Sequence, residues 1–149
     1  MKLAVKSFRV LDGDTLETQG LRLRLAGVDA PEKDQLTRGG PSAGRLASDC
    51  LKDILARGGE WELEWRGRDI YGRVLGDLWN QEGRLTTQLL EAGCMGVYPF
   101  LSSFPLKTRS EWRGAMNRAQ RARRGVWYWG GYRRPYWWRK TQKARRTPV

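Results

Sequence analysis

The period of the hydrophobic pattern changes along this chain in an order that few folds accommodate. Val5, Phe8 and Val10 begin a strand-like run, Thr15 to Thr18 a second, and Leu21, Leu23 and Leu25 then alternate with Arg22 and Arg24, the two-residue repeat of a half-buried strand. Asp12-Gly13-Asp14-Thr15 separates the first run from the second and Gly20 the second from the third; Asp-Gly pairs favour tight hairpin turns. The third run places Arg22 and Arg24 on one face. It ends around Val28-Asp29-Ala30-Pro31, because proline has no amide hydrogen to continue a ladder.

The period then lengthens. Lys33 to Gly40 is polar and reads as a mobile surface loop, and Pro41 stands where a helix accepts its first residue. Ala43, Leu46, Ala47, Cys50, Leu51, Ile54 and Leu55 recur at steps of three and four, predicting a helix over Ser42 to Arg57 that stops at Gly58-Gly59. Trp61, Leu63 and Trp65 alternate with glutamates in a fourth strand, and Val74 to Asn80 forms a fifth. Two more helices follow, one at Leu85, Leu89 and Ala92 closed by Gly93, the other over Leu106 to Arg124 with Trp112, Ala115, Met116, Ala119 and Ala122 on its apolar stripe. Five short strands with one long helix between the third and fourth is the order of an OB-type barrel. The expected fold is α+β, mainly β: a five-stranded OB-fold barrel with three helices over residues 1–127, then a basic, tryptophan-rich tail over 128–149. A length of 149 residues suits one such domain.

Composition removes several chemistries. The chain has no histidine, so Ser-His-Asp, Cys-His and HNH-type arrangements are excluded, and hydrolysis must rest on carboxylates, arginine, lysine, tyrosine or a metal. Cys50 and Cys94 lack zinc-site spacing; both fall in apolar helical settings and are expected to be buried thiols rather than a bridge. No run approaches the roughly 20 apolar residues of a membrane span, and no signal-peptide pattern precedes the first strand, so a cytoplasmic location is the default, secreted or periplasmic if a leader has been removed; a monomer is expected. The net charge of +12 is concentrated: residues 1–111 carry sixteen basic and sixteen acidic side chains, and residues 112–149 carry twelve basic and none acidic. Such a segment attracts polyanions, nucleic acid before an anionic membrane surface.

Three phrases concentrate the reactive residues: V-L-D-G-D-T-L, R-L-R-L-A-G-V-D-A-P-E and D-I-Y-G-R. Each alone is an ordinary turn, strand or loop. Together, with looser agreement at Gly40-Pro41, L-L-E-A-G and G-V-W, they resemble the staphylococcal nuclease-like, or thermonuclease, family over about residues 5 to 127. The resemblance implies a calcium-dependent endonuclease acting on DNA and RNA to leave 5′-hydroxyl and 3′-phosphate ends. By the same resemblance Asp14 and Asp29 hold one Ca²⁺ with the Ala30 main-chain carbonyl, Asp12 steadies them, Arg24 and Arg73 grip the phosphate, and Glu32 positions or deprotonates the attacking water. These residue types fit that chemistry, since hard oxygen ligands favour calcium and a guanidinium fork matches two phosphate oxygens. Ala30 stands where the family's best-known member has threonine, and Ile70 where lysine is familiar, so one hydroxyl contact and one phosphate contact are missing.

Tyr71 resembles the family's nucleotide-contacting tyrosine; Tyr98 and Phe100 either stack on a base or pack between barrel and helix. The tail interleaves Tyr128, Trp129, Tyr132, Tyr136, Trp137 and Trp138 with seven basic residues. Arg133, Arg134, Trp137, Trp138, Arg139 and Lys140 are its candidate nucleic-acid contacts, charge for phosphate and rings for bases. Alternatively the tryptophans fold back over the barrel while Lys140 to Arg146 stays disordered, with Trp127 already in the core. For the whole chain, two rivals to the enzyme remain: a non-catalytic OB-type module binding nucleic acid or a protein tail, and a basic protein that coats DNA.

Overall fold

The computed structural model describes residues 2–3 and 7–146, with Leu3 and Arg146 described by main chain alone. The strands are β1 (Lys2–Leu3), β2 (Phe8–Asp12), β3 (Thr15–Thr18), β4 (Leu21–Leu25), β5 (Val28–Asp29), β6 (Trp61–Arg68), β7 (Val74–Asn80), β8 (Gly83–Arg84) and β9 (Gly96–Val97). The helices are α1 (Ala43–Arg57), α2 (Leu85–Glu91), α3 (Leu106–Arg121) and α4 (Pro135–Arg146), with a 3-10 turn at Gly125–Trp127. The five expected strands are present as β2, β3, β4, β6 and β7; Val5 lies outside the described residues. Four shorter strands and the fourth helix were not foreseen.

The main sheet runs β1-β6-β7-β4-β3-β2, with β8 on β7, and β5 pairs with β9 in a separate ribbon. Among the described residues no ladder joins its two ends. Yet β1 and β2 are so close in sequence that the chain between Leu3 and Phe8 spans at most about 18 Å, so the sheet must curl toward itself. The result is α+β and OB-like, an incompletely closed barrel. One pairing is parallel, β4 with β7, and its register sets Leu23 beside Val74 and Arg24 beside Leu75.

The core fills this curl. Trp61 and Trp112 are fully buried with Leu16, Leu23, Leu25, Leu51, Leu78, Leu85, Leu89 and Leu90, a dense apolar set of the kind that drives folding. The predicted α1 stripe faces it, with Leu46 and Cys50 at its half-buried margin. Ser42 rather than Pro41 begins α1: its hydroxyl accepts the Arg45 amide (3.2 Å), satisfying an orphan first-turn donor. Helix α3 stops at Arg121, leaving Ala122 exposed as its cap. Trp65 departs from the alternation and is 52% exposed, because the β6–β7 register shifts between Trp65 and Gly67 and a bulge turns side chains off their face. Trp127 packs against the core as expected.

The cysteine expectation is corrected. Cys50 on α1 and Cys94 after α2 form a disulfide, with Cα atoms 5.7 Å apart. Both helices lie on the same core, and the bridge ties them across 44 residues. Nothing in the spacing of two lone cysteines reveals such a meeting.

Asp77 is a fully buried carboxylate on β7. Its Oδ1 accepts the amides of Leu78 (2.8 Å) and Thr86 (3.1 Å), so it serves the first turn of α2. Burial pushes its pKa from the usual 3.8 up to about 7, against the bonds from Thr86 and Leu78 and with a small push from Glu64. A folded-state pKa raised in this way contributes stability that is complete below about pH 4 and is lost as pH rises through about 7. Asp77→Asn keeps the accepting oxygen without the charge. The variant is expected to melt above the native protein at pH 8 and to converge with it at pH 4, which thermal melts at the two pH values will check.

Candidate active site

The D-G-D turn between β2 and β3 comes first. A side chain on Gly13 would sit 2.7 Å from the Ala47 Cβ and 3.0 Å from the Ala30 Cβ, so glycine here lets the turn press against α1 and the Asp29-Ala30 segment. Asp12 Oδ1 accepts the Asp14 amide (3.1 Å) and fixes the turn. Asp14 faces inward and is 7% exposed. Its Oδ1 accepts the Thr15 hydroxyl (3.0 Å) and its Oδ2 the Ala30 N–H (2.8 Å). Ala30 therefore joins the site through its amide as well as by position.

Asp29 arrives on β5, where pairing with Gly96 on β9 buries it. Arg24 comes from β4, opposite Thr15 on β3. Its Nη2 lies 3.4 Å from Asp14 Oδ2 and 4.0 Å from Asp29 Oδ1, so one guanidinium spans both aspartates. Its Nη1 donates to the Leu25 carbonyl, which holds it against the strand end. Glu32 follows on the next loop. Gly44 in the first turn of α1 sits so close that a Cβ would meet the Glu32 carbonyl oxygen at 2.6 Å; that approach seats the Glu32 main chain on the helix.

Arg73 stands just before β7, two residues ahead of Leu75, the register partner of Arg24 on β4. Asp69 holds it there: its Oδ2 accepts Arg73 Nε at 2.6 Å, and its Oδ1 accepts the amides of Tyr71 (2.9 Å) and Arg73 (3.0 Å). Desolvation alone would raise the Asp69 pKa, but those bonds outweigh it and keep the carboxyl below its ordinary range. With Nε engaged, the two Nη groups of Arg73 can turn to the cleft. Sequence reasoning gave Asp69 no role; its signal was the D-x-Y-G-R phrase, an aspartate four residues before the arginine across a turn.

Asp12, Asp14, Arg24, Asp29, Glu32 and Arg73 line one cleft. A second cleft opens from it, sharing Arg24 and Arg73 and adding Tyr71, Tyr98 and Phe100. Tyr71 and Phe100 are exposed, whereas Tyr98 packs partly on the core. Ile70, in the place where lysine is familiar, is 91% exposed.

Crowded acids separate their proton affinities. Burial and the neighbouring Asp14 push Asp12 up to about 6. Burial also opposes the charge on Asp14, but Arg24 and hydrogen bonds with Asp12, the Ala30 amide and Thr15 hold its carboxyl below the ordinary range. Asp29 is pushed up by burial, against the pull of Arg139 and Arg24.

Arg139, expected as a nucleic-acid contact of the tail, lines the same cleft. The tail folds back, and α4 lies beside the cleft. Arg139 Nη2 meets Asp29 Oδ2 at 2.8 Å and its Nη1 meets Glu32 Oε1 at 3.1 Å. Residues 140–146, disordered in one reading, are helical. The loop over Lys33 to Gly40 is pinned by the same tail: Gln35 is buried and donates to the Arg133 carbonyl, and the Arg38 amide donates to the Gly130 carbonyl (3.0 Å). The loop's polar sequence suggested mobility because partners some ninety residues away were invisible. Of the other tail candidates, Arg134 reaches the Val97 carbonyl (3.4 Å), Arg133 the Thr141 hydroxyl (2.6 Å), and Lys140 rests over Tyr136 and Trp137 at 4.9 and 5.8 Å. Trp138 is half-buried and Trp137 is 42% exposed.

The donor set suits a hard cation. Every charged acceptor is a carboxylate oxygen, and a guanidinium already stands against Asp29 and Glu32, so the cleft holds positive charge. Among the described residues no three acidic or sulfur ligands converge into a cage. A hard ion taking six to eight oxygens would complete its shell with main-chain carbonyls and water.

Residues 22–129 match the family model described as "Staphylococcal nuclease homologue". The chain belongs to that family. An Escherichia coli relative described as "Uncharacterized endonuclease" is 33% identical over 136 residues, 88% of this chain and 81% of the relative. The Shigella flexneri "Micrococcal nuclease" is 28% identical over 91% of this chain and 79% of its own length. The rice "Probable staphylococcal-like nuclease CAN1" is 26% identical over 88% of this chain and 36% of its own length. Among the described residues of this family member, no helix is long and apolar enough to cross a membrane.

Proposed function

We propose that the protein is a calcium-dependent endonuclease that hydrolyses phosphodiester bonds of DNA and RNA. The observation that carries the reading is Arg24, whose guanidinium lies within 4.0 Å of both Asp14 and Asp29 while Arg73 lines the same cleft. Paired carboxylates beside paired guanidiniums can serve a dianionic transition state: the carboxylates for a hard metal ion, the arginines for phosphoryl oxygens. Family membership supports the reaction class.

In this reading Asp14, Asp29 and the Ala30 carbonyl are the protein ligands of one Ca²⁺, with Asp12 fixing the Asp14 main chain. An ion held by these residues would supply counter-charge to the phosphate and make a neighbouring water easier to deprotonate. Arg24 and Arg73 bind the non-bridging oxygens, and Asp69 aims Arg73. Glu32 accepts a proton as the water oxygen joins phosphorus. The bond to the 5′ oxygen breaks, the leaving oxygen takes a proton from solvent, and the products carry 3′-phosphate and 5′-hydroxyl ends. Tyr71, Tyr98 and Phe100 offer ring faces to the adjoining nucleotide, and the tail's Trp137 and Lys140 extend the basic aromatic surface.

Plasmid nicking followed by digestion of matched DNA and RNA, with end groups identified, tests the reading. Cleavage should require calcium, cease on chelation and leave 5′-hydroxyl ends. Cutting that persists in chelator, or products with 5′-phosphates, would overturn it.

A further inference from the structure

We infer that Arg139 is a built-in competitor of the metal, and that α4 is a clasp whose closure lowers the divalent-ion affinity of the cleft. The inference rests on the reading of Asp14 and Asp29 as metal ligands.

Its basis is the engagement of a single side chain. The Arg139 guanidinium meets both oxygens of Asp29, Nη2 to Oδ2 at 2.8 Å and Nη1 to Oδ1 at 3.4 Å, and its Nη1 also reaches Glu32 Oε1 at 3.1 Å. A two-pronged contact of this kind is among the stronger charge-assisted arrangements. It also occupies both acceptor atoms of a proposed ligand, and it engages the carboxylate proposed to take the water's proton. A divalent ion and this guanidinium thus seek the same negative charge.

The clasp is built to hold and to let go. Arg139 is carried on a twelve-residue helix, on which Tyr136 makes an edge contact with Phe100, centroids 4.9 Å apart, and just ahead of which Arg134 bonds the Val97 carbonyl and the Arg133 carbonyl accepts from Gln35. The guanidinium side chain remains 40% exposed, so it can swing outward without unfolding the barrel. If opening is needed for tight metal binding, the apparent dissociation constant rises as the open fraction falls. By reciprocity, metal binding must loosen α4 by the same factor.

The test is made on the full chain without nucleic acid. Calorimetric Ca²⁺ titration of the native protein, Arg139→Gln and Arg139→Lys is paired with amide hydrogen exchange over 135–146 with and without Ca²⁺, and melts confirm that each variant folds. Expected are at least about tenfold tighter Ca²⁺ binding in Arg139→Gln, a smaller gain in Arg139→Lys, which keeps the charge without the fork, and faster α4 exchange in the native protein when Ca²⁺ is added. Equal Ca²⁺ affinity in all three, with binding still abolished by Asp14→Asn, overturns the clasp and leaves the active-site reading standing. Tighter binding with unchanged α4 exchange also overturns it, reducing Arg139 to a nearby charge. No Ca²⁺ binding in any of the proteins overturns the clasp and the metal assignment together.

Discussion

Replacing Arg73 with alanine should lower turnover by at least about a hundredfold while leaving the fold intact. The loss of one preorganised donor to transition-state charge costs roughly two to three orders of magnitude, and Arg73 is partly exposed at a strand end, so its removal opens no core cavity. If the guanidinium acts on the transition state, the loss falls on kcat more than on KM. Arg73→Lys should recover little, because an ammonium cannot donate to Asp69 from Nε while presenting two further parallel donors to the phosphate. Glu32→Gln should lose activity to a similar degree, since the amide cannot take a proton from water. Near-native turnover in purified, folded Arg73→Ala or Glu32→Gln would contradict the assignment.

The second large effect concerns stability. Breaking the Cys50–Cys94 bridge, by reduction or by changing both cysteines to alanine, should destabilise the fold by roughly 3–4 kcal/mol, the loop-entropy cost for closing a segment of this length. For a chain of this size that corresponds to a fall in Tm on the order of 10 °C, readable by circular dichroism with and without reductant. An unchanged melting temperature in reductant would mean that the helices hold each other without the bridge.

The sequence carried the parts of the fold that depend on local period. The strands at Phe8–Asp12, Thr15–Thr18 and Leu21–Leu25 and the helix over Ala43–Arg57 follow from alternation, turn residues and an apolar stripe, all properties of near neighbours. The candidate site residues were picked out through the family resemblance of three phrases; that they line one cleft depends on pairings between distant strands, the parallel β4–β7 ladder among them, which no local pattern encodes. What stayed hidden was consistently a long-range meeting. Cys94 finds Cys50 across 44 residues, Arg133 finds Gln35, and Arg139 finds Asp29. Trp65 failed for a different reason: a single inserted residue at a bulge reverses the face that alternation assigns.

The parallel alignment of β4 with β7 has a further consequence. Backbone ladders permit displacement only in whole residues, so the separation between the roots of Arg24 and Arg73 is quantised rather than adjustable. Drift elsewhere on the surface can leave that spacing untouched. A substrate backbone would meet a fixed ruler there, and variation among such proteins in what they cut would have to come from the rims of the cleft, the tyrosine loop and the C-terminal helix, and not from the anchor itself.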